Sequence, residues 1–224
     1  MKDQTLKNKR MTTSAIMLAM ATVLALVCAL IPFLHLPFGG SFTIASMLPI
    51  VVLSYMYGIK WGLLTSCAYA GVQIVIDLCY GQGGVIMALF TPNSEDYMGM
   101  GAAISILIID YLLAYGVLGL GGLFRRKLKN KTAALCLGCV VALSLRYLCH
   151  ILSGYIFYGA WAEWFFSQDG FYAIGAHILN VFTGQWLSLI YSVFYNGLYM
   201  IPEIIVTAVA AVFVSRIPAI RPEV

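Results

Sequence analysis

Four ionisable side chains lie inside long apolar runs of the sequence. They are Asp110, Arg146, His150 and Glu203. Because a charged group within a bilayer is costly, each one is a candidate for ligand binding or proton transfer. The sequence contains no G-x-x-x-x-G-K-[ST], HExxH or G-x-S-x-G motif, so it lacks a P-loop for ATP hydrolysis and these hydrolase signatures. We expect no enzymatic activity, no metal and no cofactor.

Asp110, His150 and Asn196 lie at similar distances from one end of their predicted helices. At a rise of about 1.5 Å per residue, they fall roughly 12–15 Å below the same membrane surface. A carboxylate, an imidazole and an amide at one depth predict the lining of a pocket. A carboxylate among aromatic faces suits an organic cation, through ion pairing and cation–π attraction. The aromatic residues expected around this pocket are Tyr111, Tyr158, Tyr191 and Tyr195.

Arg146 is expected to have a role different from that of these three residues. Arg146 precedes His150 by one helical turn and lies deeper. We expect a structural role for it, in which it pairs with Glu203 or with helix-end carbonyls, or orients Asp110.

The elements that must position these residues are transmembrane helices. Of the 224 residues, 62% are hydrophobic and 10% are charged, whereas about a quarter of the residues in a soluble domain are charged. A spanning helix needs about 20 apolar residues. The sequence therefore predicts an all-α fold, a bundle of six transmembrane helices that forms a single membrane domain over residues 1–224. The predicted helices cover about 12–34, 42–57, 61–80, 101–123, 132–158 and 186–214, of which the second is short.

The basic residues predict the orientation of this bundle. All of the 13 Lys and Arg residues except Arg146 fall on one side when the N-terminus is placed inside the cell. Because Lys and Arg concentrate on the cytoplasmic side, we expect both termini to be cytoplasmic and the pocket to lie in the outer half of the bilayer. The basic residues are too few and too scattered for nucleic-acid binding. We therefore expect the protein to lie in the lipid bilayer and to bind no nucleic acid.

The first predicted helix carries small residues at a spacing of four. Such residues allow another helix to approach closely. The pairs Ala15/Ala19 and Ala21/Ala25 therefore serve either internal packing or the docking of another membrane subunit.

Several stretches resemble the thiamine-specific substrate-binding (S) components of energy-coupling factor (ECF) transporters. They occur in the family's order and touch five of the six predicted helices, which makes them specific as a set. The stretches are GGSFTIASMLPI at 39–50, YGIKWGL at 57–63, DYLLA at 110–114, RYLCHILSG at 146–154, YNG at 195–197 and MIPE at 200–203.

The resemblance implies a six-helix S-component in a bacterial plasma membrane that captures thiamine outside the cell without changing it chemically. It implies two kinds of partner: a membrane coupling (T) subunit that docks on helix 1, and two ATPase subunits that drive uptake. Two positions depart from the family pattern, with Asp110 in place of Glu and Tyr158 in place of Trp. The ligand-binding residues implied are Asp110, Tyr111, His150, Gly154, Tyr158, Tyr191 and Asn196, together with Phe38 or Phe42 from the loop after helix 1.

Two other functions stay open from the sequence. An S-component for another small vitamin or a thiamine precursor would have the same fold, and the two departures from the family pattern give it weight. A membrane-embedded enzyme could use Asp110 and His150 as acid and base, although no nucleophile or metal cluster accompanies them in the sequence.

Overall fold

The structure, a computed structural model, describes residues 2–36, 41–80, 85–94 and 97–223. This part of the chain is almost entirely helical, and its only β contact is an isolated bridge between His35 and Ser41. Short 3-10 turns lie at Pro32–Leu34 and Gly159–Trp161. The helices are α1 (Lys2–Ala29), α2 (Leu48–Tyr57), α3 (Ile59–Tyr80), α4 (Val85–Phe90), α5 (Met100–Gly122), α6 (Lys131–Phe157), α7 (Ala162–Phe166), α8 (Tyr172–Val181) and α9 (Gly184–Val214).

Within the described residues, five helices are long and apolar enough to cross a membrane, namely α1, α3, α5, α6 and α9. The predicted count of six spans is not confirmed. The remaining predicted span corresponds to α2, which begins at Leu48 rather than Phe42 because the preceding loop includes Ala45 at φ +56°. Its ten residues rise about 15 Å, half of a hydrocarbon core about 30 Å thick. All ten are buried, so α2 is a core helix enclosed by its neighbours.

Glycines bring α2, α3, α5 and α6 close together at one end of the bundle. α5 ends there in a narrow 3-10 segment, Val117–Gly122. A Cβ on Gly122 would lie 2.3 Å from the Ser54 carbonyl oxygen, and a Cβ on Gly138 would lie 2.0 Å from that of Gly121. Any larger residue would push these backbones apart. We call Gly62, Gly119, Gly121, Gly122 and Gly138 the glycine contacts.

The middle of α5 is wound more widely than an α-helix. Leu107–Leu113 is a π-helical segment that lies between the α-helical turns Met100–Ile106 and Ala114–Gly116. A π turn holds more residues than an α turn, so consecutive side chains point in more similar directions, and such segments are frequent at functional sites. Asp110 and Tyr111 are consecutive residues of this segment.

The two ends of the chain meet beside the glycine contacts. The Glu223 backbone N–H donates to the Met56 carbonyl at 2.8 Å, and the Glu223 carboxylate pairs with Arg10 at 2.5 Å. Arg125 and Arg126 donate to the Glu223 carbonyl. The start of α1, the α2–α3 turn, the α5–α6 loop and the C-terminal segment therefore share one end of the bundle, which we call the basic end.

The small residues of α1 divide between two environments. Ala21 and Ala25 are 0% and 7% exposed, which leaves no surface there for a partner and corrects their prediction as docking residues. Ala15 and Ala19 are exposed. The six positions from Ala15 to Ala21 turn the helix by about 240°, so the two pairs cannot share a face.

Candidate ligand pocket

A cavity of about 490 Å³ lies in the half of the bundle away from the basic end. Small-molecule pockets typically measure about 300–1,000 Å³, so this one can hold a vitamin-sized ligand. α5, α6 and α9 and the turns after α6 supply most of its wall, because α6 packs along both α5 and α9. Seven of the eight predicted ligand-binding residues line it, namely Asp110, Tyr111, His150, Gly154, Tyr158, Tyr191 and Asn196.

Asp110 is the acidic group on the cavity wall, and both of its carboxylate oxygens are hydrogen-bonded. Oδ1 lies 2.8 Å from Nδ1 of His150, and Oδ2 accepts from the Ser153 hydroxyl at 2.5 Å. Among the described residues, no Lys or Arg lies within 4.0 Å of this carboxylate. Two donors therefore orient a carboxylate that has no permanent counter-ion, and such a group attracts a cation.

His150 has one ring nitrogen engaged and one without a partner. An ionised carboxylate only accepts hydrogen bonds, so Nδ1 carries the proton shared with Asp110. Nε2 is buried and has no hydrogen-bond partner in the described part of the chain. In the neutral ring Nε2 is an acceptor. Because an unsatisfied buried acceptor is costly, a ligand that donates to Nε2 would be stabilised there.

Gly154 allows α9 to approach α6 beside the cavity. A Cβ on Gly154 would lie 2.2 Å from Ser192 Oγ and 3.2 Å from Asn196 Nδ2. The Asn196 amide donates to the Ser192 carbonyl at 2.8 Å and to the His150 carbonyl at 3.2 Å. Its oxygen accepts from the Tyr199 hydroxyl. Asn196 thus ties the two helices together in addition to lining the cavity.

Aromatic rings form much of the remaining wall. Tyr191 and Tyr195 lie on α9 with ring centroids 5.5 Å apart. Trp161 and Trp164 follow α6 and meet edge to face at 5.9 Å. Both tryptophans line the cavity beside Tyr158, and neither was predicted from the sequence. The available signal was their spacing, three and six residues after Tyr158.

Arg146 also lines the cavity. It does not pair with Glu203, one of the three roles expected for it, because the two side chains are not within 4.0 Å of each other. The buried Arg146 guanidinium lies over the Tyr115 ring, 4.3 Å from its centroid, and donates to Met47 Sδ. The buried Glu203 accepts from the backbone N–H and the hydroxyl of Thr43. Both charges are therefore used to hold the loop that precedes α2.

Comparison with known proteins identifies the family to which this arrangement belongs. Residues 11–168 match the family model described as thiamine transporter protein (Thia_YuaJ), and this segment includes Asp110 and His150. The chain belongs to the thiamine transporter family. It is also 31% identical over 209 residues to the thiamine transporter ThiT of Bacillus subtilis (strain 168), covering 89% of this chain and 86% of that protein. It is a multi-pass protein of the bacterial plasma membrane and a transport protein rather than an enzyme.

Of the two aromatic residues expected as alternatives from the loop after α1, Phe42 lies in the described part of the chain. Ser41 lines the cavity and Phe42 is not among the lining residues, so a role for Phe42 in ligand binding stays a prediction. Ser41 bridges to His35 in extended backbone, where successive side chains point to opposite sides. Phe38, the alternative, lies outside the described residues.

Asp110, His150 and Ser153 do not have the geometry of a hydrolase triad. In a triad the serine hydroxyl donates to the histidine. Here the Ser153 hydroxyl donates to Asp110 Oδ2 instead. The arrangement orients a carboxylate toward a cavity, which is what a binding site for a cation requires.

Proposed function

We propose that this protein is the high-affinity S-component of an ECF-type importer and that it captures thiamine outside the cell. The observation that carries the proposal is Asp110, a carboxylate without a Lys or Arg partner in the described residues, on the wall of an aromatic cavity of about 490 Å³. A flat organic cation matches this site in both charge and π contact.

Thiamine supplies the complementary groups. Its thiazolium is flat and permanently positive, so it fits between the Asp110 carboxylate and the surrounding aromatic rings. Its aminopyrimidine carries an amino group that can donate to Nε2 of His150, the acceptor left without a partner in the described structure. Binding of this kind retains the ligand unchanged. The other proposed ligand-binding residues are Tyr111, Gly154, Tyr158, Tyr191 and Asn196.

We place the basic end in the cytoplasm and the cavity in the outer half of the membrane. Arg10, Arg125 and Arg126 gather at the basic end around Glu223. Cytoplasmic ends of membrane proteins are enriched in Lys and Arg, which supports this orientation. Both termini are then cytoplasmic, and α2 is the sixth, partial span of the bundle.

We assign ATP hydrolysis to two partner ATPases, because this sequence has no P-loop. A membrane T subunit would couple them to the exposed side of α1, where Ala15 and Ala19 permit close helix approach. Ala19→Leu should lower uptake by the assembled transporter while thiamine binding stays unchanged. Normal uptake by this variant would rule out docking at Ala19.

The experiment that tests the ligand is calorimetric titration of the purified protein. We expect one thiamine per chain, weaker binding of pyrithiamine (pyridinium in place of thiazolium) and no heat from riboflavin. The aminopyrimidine fragment without the thiazolium should bind at least about 100-fold more weakly, because it lacks the charge that Asp110 attracts. Equal binding of the fragment and thiamine would contradict the ion-pair role.

A second candidate is an S-component for a different aromatic vitamin or a thiamine precursor. The observation that favours it is the pair Trp161 and Trp164, which enlarges the aromatic wall beyond the residues implied by the family resemblance. The same titration separates the two functions. Tight binding of riboflavin or of the uncharged fragment, with thiamine silent, would establish the second candidate.

A further inference from the structure

A further carboxylate, Asp77, lies near the cavity without lining it. It is on α3, three residues before that helix ends at Tyr80, and its side chain is partly buried. Nothing in the sequence singled it out, because an acid near the end of an apolar helix can simply face water. In the structure it has two protein partners instead, and each of them is connected to the ligand pocket.

The first partner of Asp77 is the start of α4. The Ile86 backbone N–H donates to Asp77 Oδ2 at 3.0 Å. This bond satisfies one of the N–H groups that the first turn of a helix leaves without a partner. Leu89, on the same short helix, is buried against Ala103 and Ile106 of α5. Since Ile106 lines the cavity, α4 supports the cavity wall from behind.

The second partner of Asp77 is a residue of the cavity wall. Tyr111, which lines the cavity, lies close enough to Asp77 for the two side chains to interact. The Tyr111 ring lies 6.4 Å from that of Tyr115, and Tyr115 in turn carries the Arg146 guanidinium on its face. Asp77 therefore begins a row of contacts that runs along one side of the cavity to Arg146.

We propose that Asp77 is a positioning residue of the ligand pocket. Its carboxylate accepts from the Ile86 N–H and lies beside Tyr111, so a single side chain anchors the helix that supports the wall and contacts one residue of the wall itself. Removal of Asp77 releases both at once and lets the ligand dissociate faster. The proposal rests on the proposed function for the ligand used in its test, while the link to α4 can be measured without a ligand.

Two substitutions separate hydrogen bonding from charge at this position. Asp77→Ala removes the hydrogen bond to Ile86 and the contact with Tyr111, and it should raise the thiamine Kd by about tenfold, mainly through a faster dissociation rate. Asp77→Asn keeps an acceptor for Ile86 and a polar group for Tyr111, so its Kd should stay within about threefold of the wild-type value. Asp169→Ala, at an exposed carboxylate after α7, is the matched control and should leave the Kd unchanged.

A double-mutant cycle tests whether Asp77 acts through Tyr111. If it does, Asp77→Ala combined with Tyr111→Phe should bind thiamine little worse than Asp77→Ala alone. A simple structural loss would instead give additive effects. Additivity, or an Asp77→Ala Kd within twofold of wild type, would overturn the positioning role.

Hydrogen exchange of the protein without ligand completes the test. Peptides that cover residues 85–90 should exchange faster in Asp77→Ala than in wild type, and Asp77→Asn should restore most of the protection. Unchanged exchange in Asp77→Ala would overturn the link to α4. Wild-type protein that binds no thiamine would contradict the proposed function, and the exchange measurement would still decide whether Asp77 anchors α4.

Discussion

α5 connects two regions that are built in opposite ways. In its middle, the π-helical segment Leu107–Leu113 presents Asp110 and Tyr111 to a cavity. In its last turns, the 3-10 segment Val117–Gly122 packs directly on the backbone of neighbouring helices. The wide turns lie where a ligand needs room, and the narrow turns lie where the helices exclude it. One continuous helix thus serves the binding site and the rigid end that supports it.

The two regions also differ in whether their polar groups find hydrogen-bond partners within the protein. At the glycine contacts, the fully buried Ser54 hydroxyl donates to the Gly119 carbonyl and accepts from the Gly122 N–H at 2.9 Å. The protein itself satisfies that hydroxyl. In the cavity, the described residues leave His150 Nε2 without a partner and Asp110 without a Lys or Arg counter-ion. The cavity thus offers a ligand polar groups that the described protein leaves unmatched, whereas the Ser54 hydroxyl at the glycine contacts is already matched by backbone.

Of the substitutions that test this comparison, Asp110→Asn should have the largest effect, and the effect should be on thiamine affinity. The amide keeps the shape of the side chain but removes the charge, so thiamine affinity should fall roughly 100-fold, or about 3 kcal/mol. Thermal stability without ligand should change little, because the amide can keep hydrogen bonds to both His150 and Ser153. Titration and thermal unfolding of the same preparation check both points. A loss of less than about threefold would contradict the assignment of Asp110.

Gly138→Ala should do the opposite, lowering the stability of the fold and leaving thiamine affinity unchanged. The added Cβ meets the Gly121 carbonyl oxygen at 2.0 Å, and since that atom is backbone, the helices must move apart. We expect a loss of about 2 kcal/mol of stability with thiamine affinity of the folded protein unchanged. Gly71→Ala is the matched control, because a Cβ there meets nothing within 4 Å. Equal stability of the two variants would show that the glycine contacts are not needed.

Gly154→Ala should disturb both helix packing and thiamine binding, because Gly154 is a close helix contact inside the binding region. Its Cβ would lie 2.2 Å from Ser192 Oγ and would displace Asn196, so affinity should fall about tenfold. The double variant Gly154→Ala/Ser192→Ala removes the clashing oxygen and should recover part of the affinity. No recovery would show that Gly154 acts by some route other than this contact. Titration of both variants measures the difference.

The smallest effect should come from Tyr158→Trp. The indole offers a larger π face to a cationic ring, so thiamine binding should strengthen by about twofold to fivefold. The matched control is Trp186→Leu, a residue that is 68% exposed and does not line the cavity. Weaker binding by Tyr158→Trp would indicate that Trp161 and Trp164 already occupy the available space.

Regular helix geometry explains what the sequence could predict about the pocket. Counting residues along straight helices placed Asp110, His150 and Asn196 at one depth, and the structure brings all three to one cavity. The contact between Asp110 and His150 at 2.8 Å follows from that shared depth. Depth along a helix can be read from sequence because the rise per residue is nearly constant.

Irregular backbone explains what the sequence could not predict. The π-helical and 3-10 segments of α5 carry no clear sequence signal, so the close contact of its glycines was not foreseen. Trp161 and Trp164 lie beyond the end of α6, where helical periodicity no longer applies. The predicted start of the second helix at Phe42 has the same origin, since the loop before Leu48 was read as helix.

The most direct test of the account is an experimental structure of the protein with thiamine bound. We expect one molecule in the cavity, with the thiazolium within about 6 Å of the Asp110 carboxylate and against aromatic rings. The aminopyrimidine amino group should lie within hydrogen-bond distance of His150 Nε2. Thiamine bound elsewhere, or with its thiazolium turned away from Asp110, would contradict the account.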